Sequence, residues 1–398
     1  MNYISENKKY KEKVLNRFIK YVKIWSESDG VAADNGVFPS TPQQFDFARI
    51  LKDELESLGA QKVSLDKNCY LHAQIPASAG FEHKQSVLLM AHMDTVDEVT
   101  GKNVNPQIAP NPQDFTDSSD TIITTDGNTL LGADDKAGIT AIMSVLEFFK
   151  ENPKISHSAF EIMFSPDEET GHGMDKVPLE IIESKYAVTV DGGDIGEMET
   201  ECFNAFGASV IFYGKAAHTG NARESRMVNA VSMAGAFVSS LPHTMTPETT
   251  DNLQGFIAPM AINGTIEKAQ VELLLRSFDM DEIEKEKLII KHAVDSVALC
   301  YGGKAEINFK QQYLNMKEKL NENPEIIERL TQAFKKAGVE IKNKPIRGGT
   351  DGSRLTEMGI PTPNIFTGAH EFHSRKEWLS LNQCSKAADV LINLLTEK

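Results

Sequence analysis

Cysteine is scarce in this chain of 398 residues, which holds only Cys69, Cys202, Cys300 and Cys384. They lie far apart and form no Cys-x-x-Cys pair, which argues against a disulfide framework or a zinc ribbon and points to a reducing compartment, the cytoplasm. Basic charge is also short: 41 Lys and Arg against 57 Asp and Glu leave a formal net charge of −16. Such a balance disfavours a phosphate-binding surface, so a nucleic-acid partner is not expected. There is no apolar run of 18 residues, and the opening stretch from Met1 to Tyr10 has no apolar core, so neither a membrane span nor a signal peptide is expected. Internal repeats are missing as well. The glycines at 348, 349 and 352 lack the Lys and the strand-to-helix setting of a phosphate-binding loop.

What is present is ordinary globular material, 40% hydrophobic and 25% charged, long enough for two domains. Three short runs are apolar without alternation, as strands buried on both faces are: Val87–Ala91, Ala159–Phe164 and Tyr186–Val190. Each ends in polar residues, namely His92-Met93-Asp94, Ser165-Pro166-Asp167-Glu168-Glu169 and Asp191-Gly192. With a helix predicted between each pair, this is βαβ order with chemistry at the carboxyl ends of the strands. Amphipathic periodicity predicts a helix over Lys9–Trp25, and Thr41-Pro42 as cap and first-turn proline starts another that stops at Gly59. Both read as scaffold. Residues 97–129 are polar and read as a long surface excursion.

From about Cys202 the texture changes. Strand patterns at 208–213, 256–262, 270–278 and 305–309 enclose helical patterns from Met227 to Leu241 and from Ile283 to Val297. That β-α-β-β-α-β order predicts a ferredoxin-like sandwich. The α/β texture resumes after about Asn315, with helices near 324–337 and from about Leu381 to Thr396. The predicted organisation is a catalytic domain of 1–202 and 313–398 interrupted by an inserted domain of 203–312.

The densest chemistry lies in Leu130–Gly138, where Asp134 and Asp135 sit among small residues just before a helical apolar run (Ile139, Ile142, Met143, Leu146, Phe149). Either acid serves there as a helix cap or as a cation ligand. Taken together, His92, Asp134, Glu169, Asp191 and His373 form a mixed nitrogen and oxygen donor set. That set suits Zn²⁺, with Co²⁺ or Mn²⁺ as substitutes, better than Mg²⁺ or Ca²⁺. Five donors exceed one tetrahedral site and suffice for two ions sharing a carboxylate. Asp94, two residues from His92, suits a carboxylate that orients a ligating imidazole. Taken singly, each residue also has a plain reading as a cap, a solvated acidic turn or a surface His.

The ordered motifs His92-Met93-Asp94-Thr95-Val96, Gly132-Ala133-Asp134-Asp135-Lys136-Ala137-Gly138, Asp167-Glu168-Glu169-Thr170-Gly171 and Val190-Asp191-Gly192-Gly193 resemble the co-catalytic dizinc exopeptidases that include aminoacylase and carboxypeptidase G. Within that family, Gly101–Ile108, Ile346–Gly352 and Pro363–Gly368 are similar to its tripeptide aminopeptidases. The resemblance runs through essentially the whole chain. It implies an α/β fold, a mixed-sheet zinc-exopeptidase-like catalytic domain, with an inserted ferredoxin-like α+β lid of the kind that also dimerises.

The resemblance further implies that Asp134 bridges two zinc ions, with His92 and Asp191 on one and Glu169 and His373 on the other. His373 is preferred over His370 because His373 and Glu377 match the family's His-x-x-x-Glu. Asp94 would orient His92, Glu168 would be the general base, and His218 would stabilise the oxyanion. Arg276, Arg347 and Asn229 would contact substrate, and the Asp134–Asp135 peptide would be cis. The implied activity is removal of the N-terminal residue of tripeptides by a monomer or homodimer. A dipeptidase or N-acyl amino acid hydrolase on the same machinery is the near alternative, and a catalytically silent peptide-binding protein the distant one. Thr219 in place of the usual Pro, a short excursion between Lys102 and Leu131, and the Ala369–Phe372 lead-in depart from the tripeptidase pattern. They bear on substrate choice more than on the metal shell.

Overall fold

The computed structural model describes residues 1–110 and 120–396. The chain divides into two compact units. The first comprises 1–200, 318–344 and 350–398, and the second comprises 201–317 and 345–349. The segment 203–312 lies inside the second unit, which also takes the short return at 345–349.

In chain order the strands begin with β1 (Gln61–Leu65), β2 (Leu71–Ile75), β3 (Val87–His92) and β4 (Gln107–Pro110). Next come β5 (Thr121–Thr124), β6 (Phe160–Ser165), β7 (Tyr186–Gly192) and β8 (Glu197–Glu199). The second unit contributes β9 (Asn204–Tyr213), β10 (Phe256–Gly264), β11 (Lys268–Ser277) and β12 (Lys304–Tyr313). Back in the first unit are β13 (Lys342–Asn343), β14 (Asn364–Phe366), β15 (Ala369–His370) and β16 (Trp378–Ser380).

The main sheet of the first unit is mixed, with order β1-β2-β6-β3-β7-β14-β8-β13. Its centre is parallel, β3 pairing with β6 on one side and β7 on the other. All six residues of β3 are buried, because both faces of the sheet are covered. Leu88 and Met90 join a core with Tyr70, Met163, Ala187 and Leu355, so the alternate residues of β3 face the other way. The helix Ala133–Glu151 packs on β3 and β7, and the helices Lys8–Val22 and Leu381–Leu395 pack against it. These parallel strands place His92, the Glu168-Glu169 loop and Asp191 side by side at one edge.

Three sequence expectations need correction. The connection 166–185, all of it described, holds a 3₁₀ turn at Leu179–Ile181 where a helix was predicted. Pro166, Gly171, Gly173 and Pro178 break helical periodicity there. The polar excursion at 97–129 is partly ordered as β4 and β5, which join β15 and β16 in a small antiparallel sheet of order β15-β16-β5-β4. The rest of that excursion, 111–119, lies outside the described residues. The helix predicted to start on a Thr41 cap runs Gln43–Leu58 instead, with Pro42 at its cap position, while the Thr41 hydroxyl donates to the Glu27 carbonyl. Its end at Gly59 is as predicted, in the left-handed region at φ 96°.

The second unit has the antiparallel order β10-β11-β9-β12 with helices Ala230–Ser240 and Met280–Tyr301. This is the ferredoxin-like arrangement. Burial alternates residue by residue along β11, so one face of the sheet (Val271, Leu273, Leu275) packs with Phe237, Ile283, Ile290 and Val294 in a core of its own. Among the described residues no helix is long and apolar enough to cross a membrane. Cys69, Cys202 and Cys384 are buried and Cys300 is exposed.

Candidate metal centre

Asp134 lies between two histidines. His92 Nε2 is 2.9 Å from Asp134 Oδ1 and 3.5 Å from Asp191 Oδ1. His373 Nε2 is 3.3 Å from Asp134 Oδ2 and 3.1 Å from Glu169 Oε2. The five sequence-predicted donors therefore meet as two pairs about one shared carboxylate. His370, the rival to His373, is kept elsewhere: its ring stacks on Trp378 at 3.9 Å and its Nε2 faces Gln383.

The elements explain these positions. His92 ends β3, Asp191 lies near the end of β7 and has its N–H bound by the Asn364 side chain of β14, and Glu168 and Glu169 follow β6. Asp94 has two duties. Its carboxylate accepts the N–H groups of Glu168 and Glu169 at 3.0 and 3.1 Å, and its backbone carbonyl lies 3.1 Å from His92 Nδ1. A carbonyl only accepts, so Nδ1 carries the proton and Nε2 turns its lone pair toward Asp134 and Asp191. A lone pair aimed at carboxylates calls for a proton or a metal ion between them.

The adjacent acids of the Gly132–Gly138 stretch divide their work. Their peptide bond is cis. Asp135 accepts the Gly138 N–H at 3.0 Å and the His92 N–H at 3.3 Å, so the capping role falls to it, while Asp134 faces the histidines. Asp135 is fully buried and, with His92 and Asp191, forms a second donor group behind the first.

Electrostatically the cluster has too much negative charge for its surroundings. Burial, reinforced by Asp134, pushes Glu169 up to about 8 and Asp191 up to about 7. Burial also raises Glu168 well above the carboxylate range. Asp134 goes the other way: burial opposes ionisation, but the hydrogen bonds of His373 and His92 prevail and hold it low. Hydrogen bonds to Asp134 and Glu169 push His373 up to about 11. Glu169 Oε1 is buried with no hydrogen-bond partner. An orphaned carboxylate oxygen beside an aimed imidazole lone pair fits a divalent cation of the Zn, Co or Mn type.

Two neighbours were not singled out by sequence. Asp351, in the Gly348-Gly349-Thr350-Asp351 run, accepts the Ser165 hydroxyl and shares a space too narrow for water with His92, Glu168 and Asp191. Asp167, at φ 56°, accepts the Ser40 N–H and the Gln44 amide and so ties the Glu168-Glu169 loop to the 40–44 segment. Residue type alone does not show such tertiary partners.

The remaining predicted residues lie in the second unit. His218 is exposed and its Nδ1 accepts the Gly220 N–H at 3.1 Å, which leaves the proton of a neutral ring on Nε2. Arg276 gives Nη1 to the Phe206 and Leu275 carbonyls and lies over the Tyr313 ring. Arg347 holds the Asn252, Gln254 and Thr250 carbonyls and the Thr250 hydroxyl through its Nη atoms and stacks on Phe203, so it clamps a loop of its own unit. Asn229 has a structural duty too, since its Oδ1 caps the helix Ala230–Ser240 by accepting from Val231 and Ser232.

Fold and site define a class: an α/β protein with a paired histidine–carboxylate centre at the carboxyl edge of its sheet and a ferredoxin-like insertion in its sequence. The chain belongs to peptidase family M20/M25/M40, whose model matches residues 88–397. It is 38% identical over 405 residues to peptidase T of Alkaliphilus oremlandii, covering 96% of this chain and 98% of that one. With peptidase T of Listeria innocua it shares 39% over 406 residues, 96% and 98% of the two chains. The crystal structure of aminopeptidase PepT from Bacillus cereus superposes with a TM-score of 0.78 at 24% identity over 97% and 98% of the chains. The YXEP protein of Bacillus subtilis, described as a dinuclear metal binding peptidase, superposes with 0.69 at 14% identity over 98% of each.

Proposed function

We propose that this protein is a metal-dependent aminopeptidase that removes the N-terminal residue of tripeptides. The observation that carries the reading is the pairing of His92 with Asp191 and of His373 with Glu169 about Asp134, with Glu168 beside them. The likeness to peptidases T along nearly the whole chain supports the substrate class. His92 and Asp191 would hold one divalent ion, Glu169 and His373 the other, and Asp134 both, with Zn²⁺ first and Co²⁺ or Mn²⁺ as substitutes. Metal bound there supplies Lewis-acid polarisation of the scissile carbonyl and of the attacking water.

The chain's own residues do the rest. Glu168, whose carboxylate has no hydrogen-bond partner among the described residues, takes the proton of the attacking water and returns it to the departing amine. Asp94 fixes the Glu168 and Glu169 amides and the His92 tautomer together, so base and ligands keep one spacing. Stabilisation of the oxyanion goes to the Nε2–H of His218. Recognition of the peptide's carboxylate goes to the guanidinium of Arg276. Four cysteines scattered along the chain, with no Cys-x-x-Cys pair, support a reducing, cytoplasmic setting.

A panel of tripeptides, dipeptides and N-acetylated tripeptides tests this with metal-loaded protein. Release of the first residue from free tripeptides is expected to be fastest. Equal rates on N-acetylated tripeptides would sink the aminopeptidase reading, and faster turnover of dipeptides would move it to a dipeptidase.

A further inference from the structure

Glu377 is 1% exposed, and three backbone amides point at it. Its Oε2 accepts the N–H groups of Leu131 and Gly132, both at 2.7 Å, and its Oε1 accepts that of Asp134 at 3.0 Å. These amides belong to the turn that presents Asp134. The turn is irregular: Gly132 sits at φ 75°, and Asp134 and Asp135 have non-helical backbone angles inside the helix Ala133–Glu151. Amides at such a start have no carbonyl of their own helix to bind and need another acceptor. A side chain at Gly132 would be strained, since the residue lies in the left-handed region and a Cβ there would press on Thr95 at 3.3 Å.

Glu377 also stands four residues after His373, in a turn closed by its own N–H on the Ser374 carbonyl, and leads into β16. One carboxylate therefore joins the segment that carries His373 to the turn that carries Asp134. Lys136 lies buried nearby. Its Nζ donates to the Ile24 carbonyl at 2.7 Å and lies 3.6 Å from where a Cβ on Gly132 would be.

We propose that Glu377 is a positioning residue for metal: by gripping the 131–134 turn it sets Asp134 and the His373 segment in one frame before any ion arrives. Ordering that frame belongs to folding, so binding does not have to supply it, and affinity rises without any metal contact from Glu377. The proposal rests on the reading of the histidine–carboxylate cluster as a metal centre.

Titration of the metal-stripped full chain with Zn²⁺ or Mn²⁺, by calorimetry and by competition with a chelating dye, separates the two. Glu377→Gln is expected to weaken metal binding about 10- to 100-fold, with kcat returning to near the wild-type value when metal is in large excess. The matched control is Glu161→Gln. Glu161 is a buried carboxylate that likewise accepts amides, those of Glu183 and Ser184, so its loss should lower the melting temperature and leave metal affinity unchanged. Wild-type affinity in Glu377→Gln, or activity that stays low at saturating metal, would overturn the proposal. Failure of the wild-type chain to bind metal would overturn the metal reading instead. If Glu377→Gln does not fold, Glu377→Asp decides: it keeps the charge and draws it back by one methylene, so its affinity should fall, and unchanged affinity would again overturn the proposal.

Discussion

Glu168 and Glu169 are neighbours in sequence with different surroundings. Glu169 is bound by His373, whereas the Glu168 carboxylate has no hydrogen-bond partner among the described residues and walls the narrow space that also holds Asp351 and Asp191. Removing the proton-carrying ability of Glu168 while keeping its shape separates chemistry from binding. Glu168→Gln is expected to lower kcat by about 10²- to 10⁴-fold with metal stoichiometry unchanged, as read by steady-state kinetics and elemental analysis. Retained turnover would remove Glu168 from the base role.

At the scale of elements, Asn229 illustrates how a polar side chain acquires a structural duty. Its Oδ1 caps the helix Ala230–Ser240, so Asn229→Ala should cost about 1 kcal/mol in denaturant unfolding and leave KM for tripeptides within error. A second element-scale expectation concerns the helices Lys8–Val22, Gln43–Leu58 and Ala133–Glu151, joined by Arg17 to Glu54 at 2.9 Å and to Glu147 at 2.7 Å. Burial pushes both carboxyls up, but Lys13 and Arg17 at Glu147 and Arg17 and Lys20 at Glu54 prevail and hold them below the usual 4.5. With folded values depressed, this stabilisation is complete above the unfolded value and is lost as pH falls through the folded ones. The difference in melting temperature between wild type and Glu147→Gln should therefore be largest near neutrality and shrink below about pH 4. A gap that widened on acidification would contradict the assignment.

The same scale shows what sequence discloses. The buried parallel strands were legible because covered faces demand unbroken apolar runs, and the polar residues after β3, β6 and β7 were legible because those runs stop abruptly. Asp351 was not, because it reaches the site from far along the chain, and although the spacing of Glu377 from His373 was legible, its hold on the 131–134 turn consists of tertiary partners. Arg347 and Asn229 show the converse: residue type advertises hydrogen-bonding capacity and does not disclose the structural bonds that part of it already makes. Which aspartate capped and which faced the histidines became plain only from the path of the backbone between Gly132 and Gly138.

For the whole molecule, each unit has its own core, and the first unit gathers three carboxylates and two histidines in one place. Metal bound there stabilises by mass action, about 2.7 kcal/mol when free metal stands at about 100 times its Kd. Stripping the protein with a chelator should lower its melting temperature, and returning Zn²⁺ or Mn²⁺ should restore it. Identical melting with and without metal would count against the centre. The cysteines offer a separate handle. Three of the four thiols are buried and Cys300 lies open on the helix Met280–Tyr301. A thiol reagent should therefore count one reactive sulfur in the native protein and four after denaturation. A fluorophore attached before unfolding would sit at a single address in the second unit, a built-in place to mount a reporter without engineering any cysteine away.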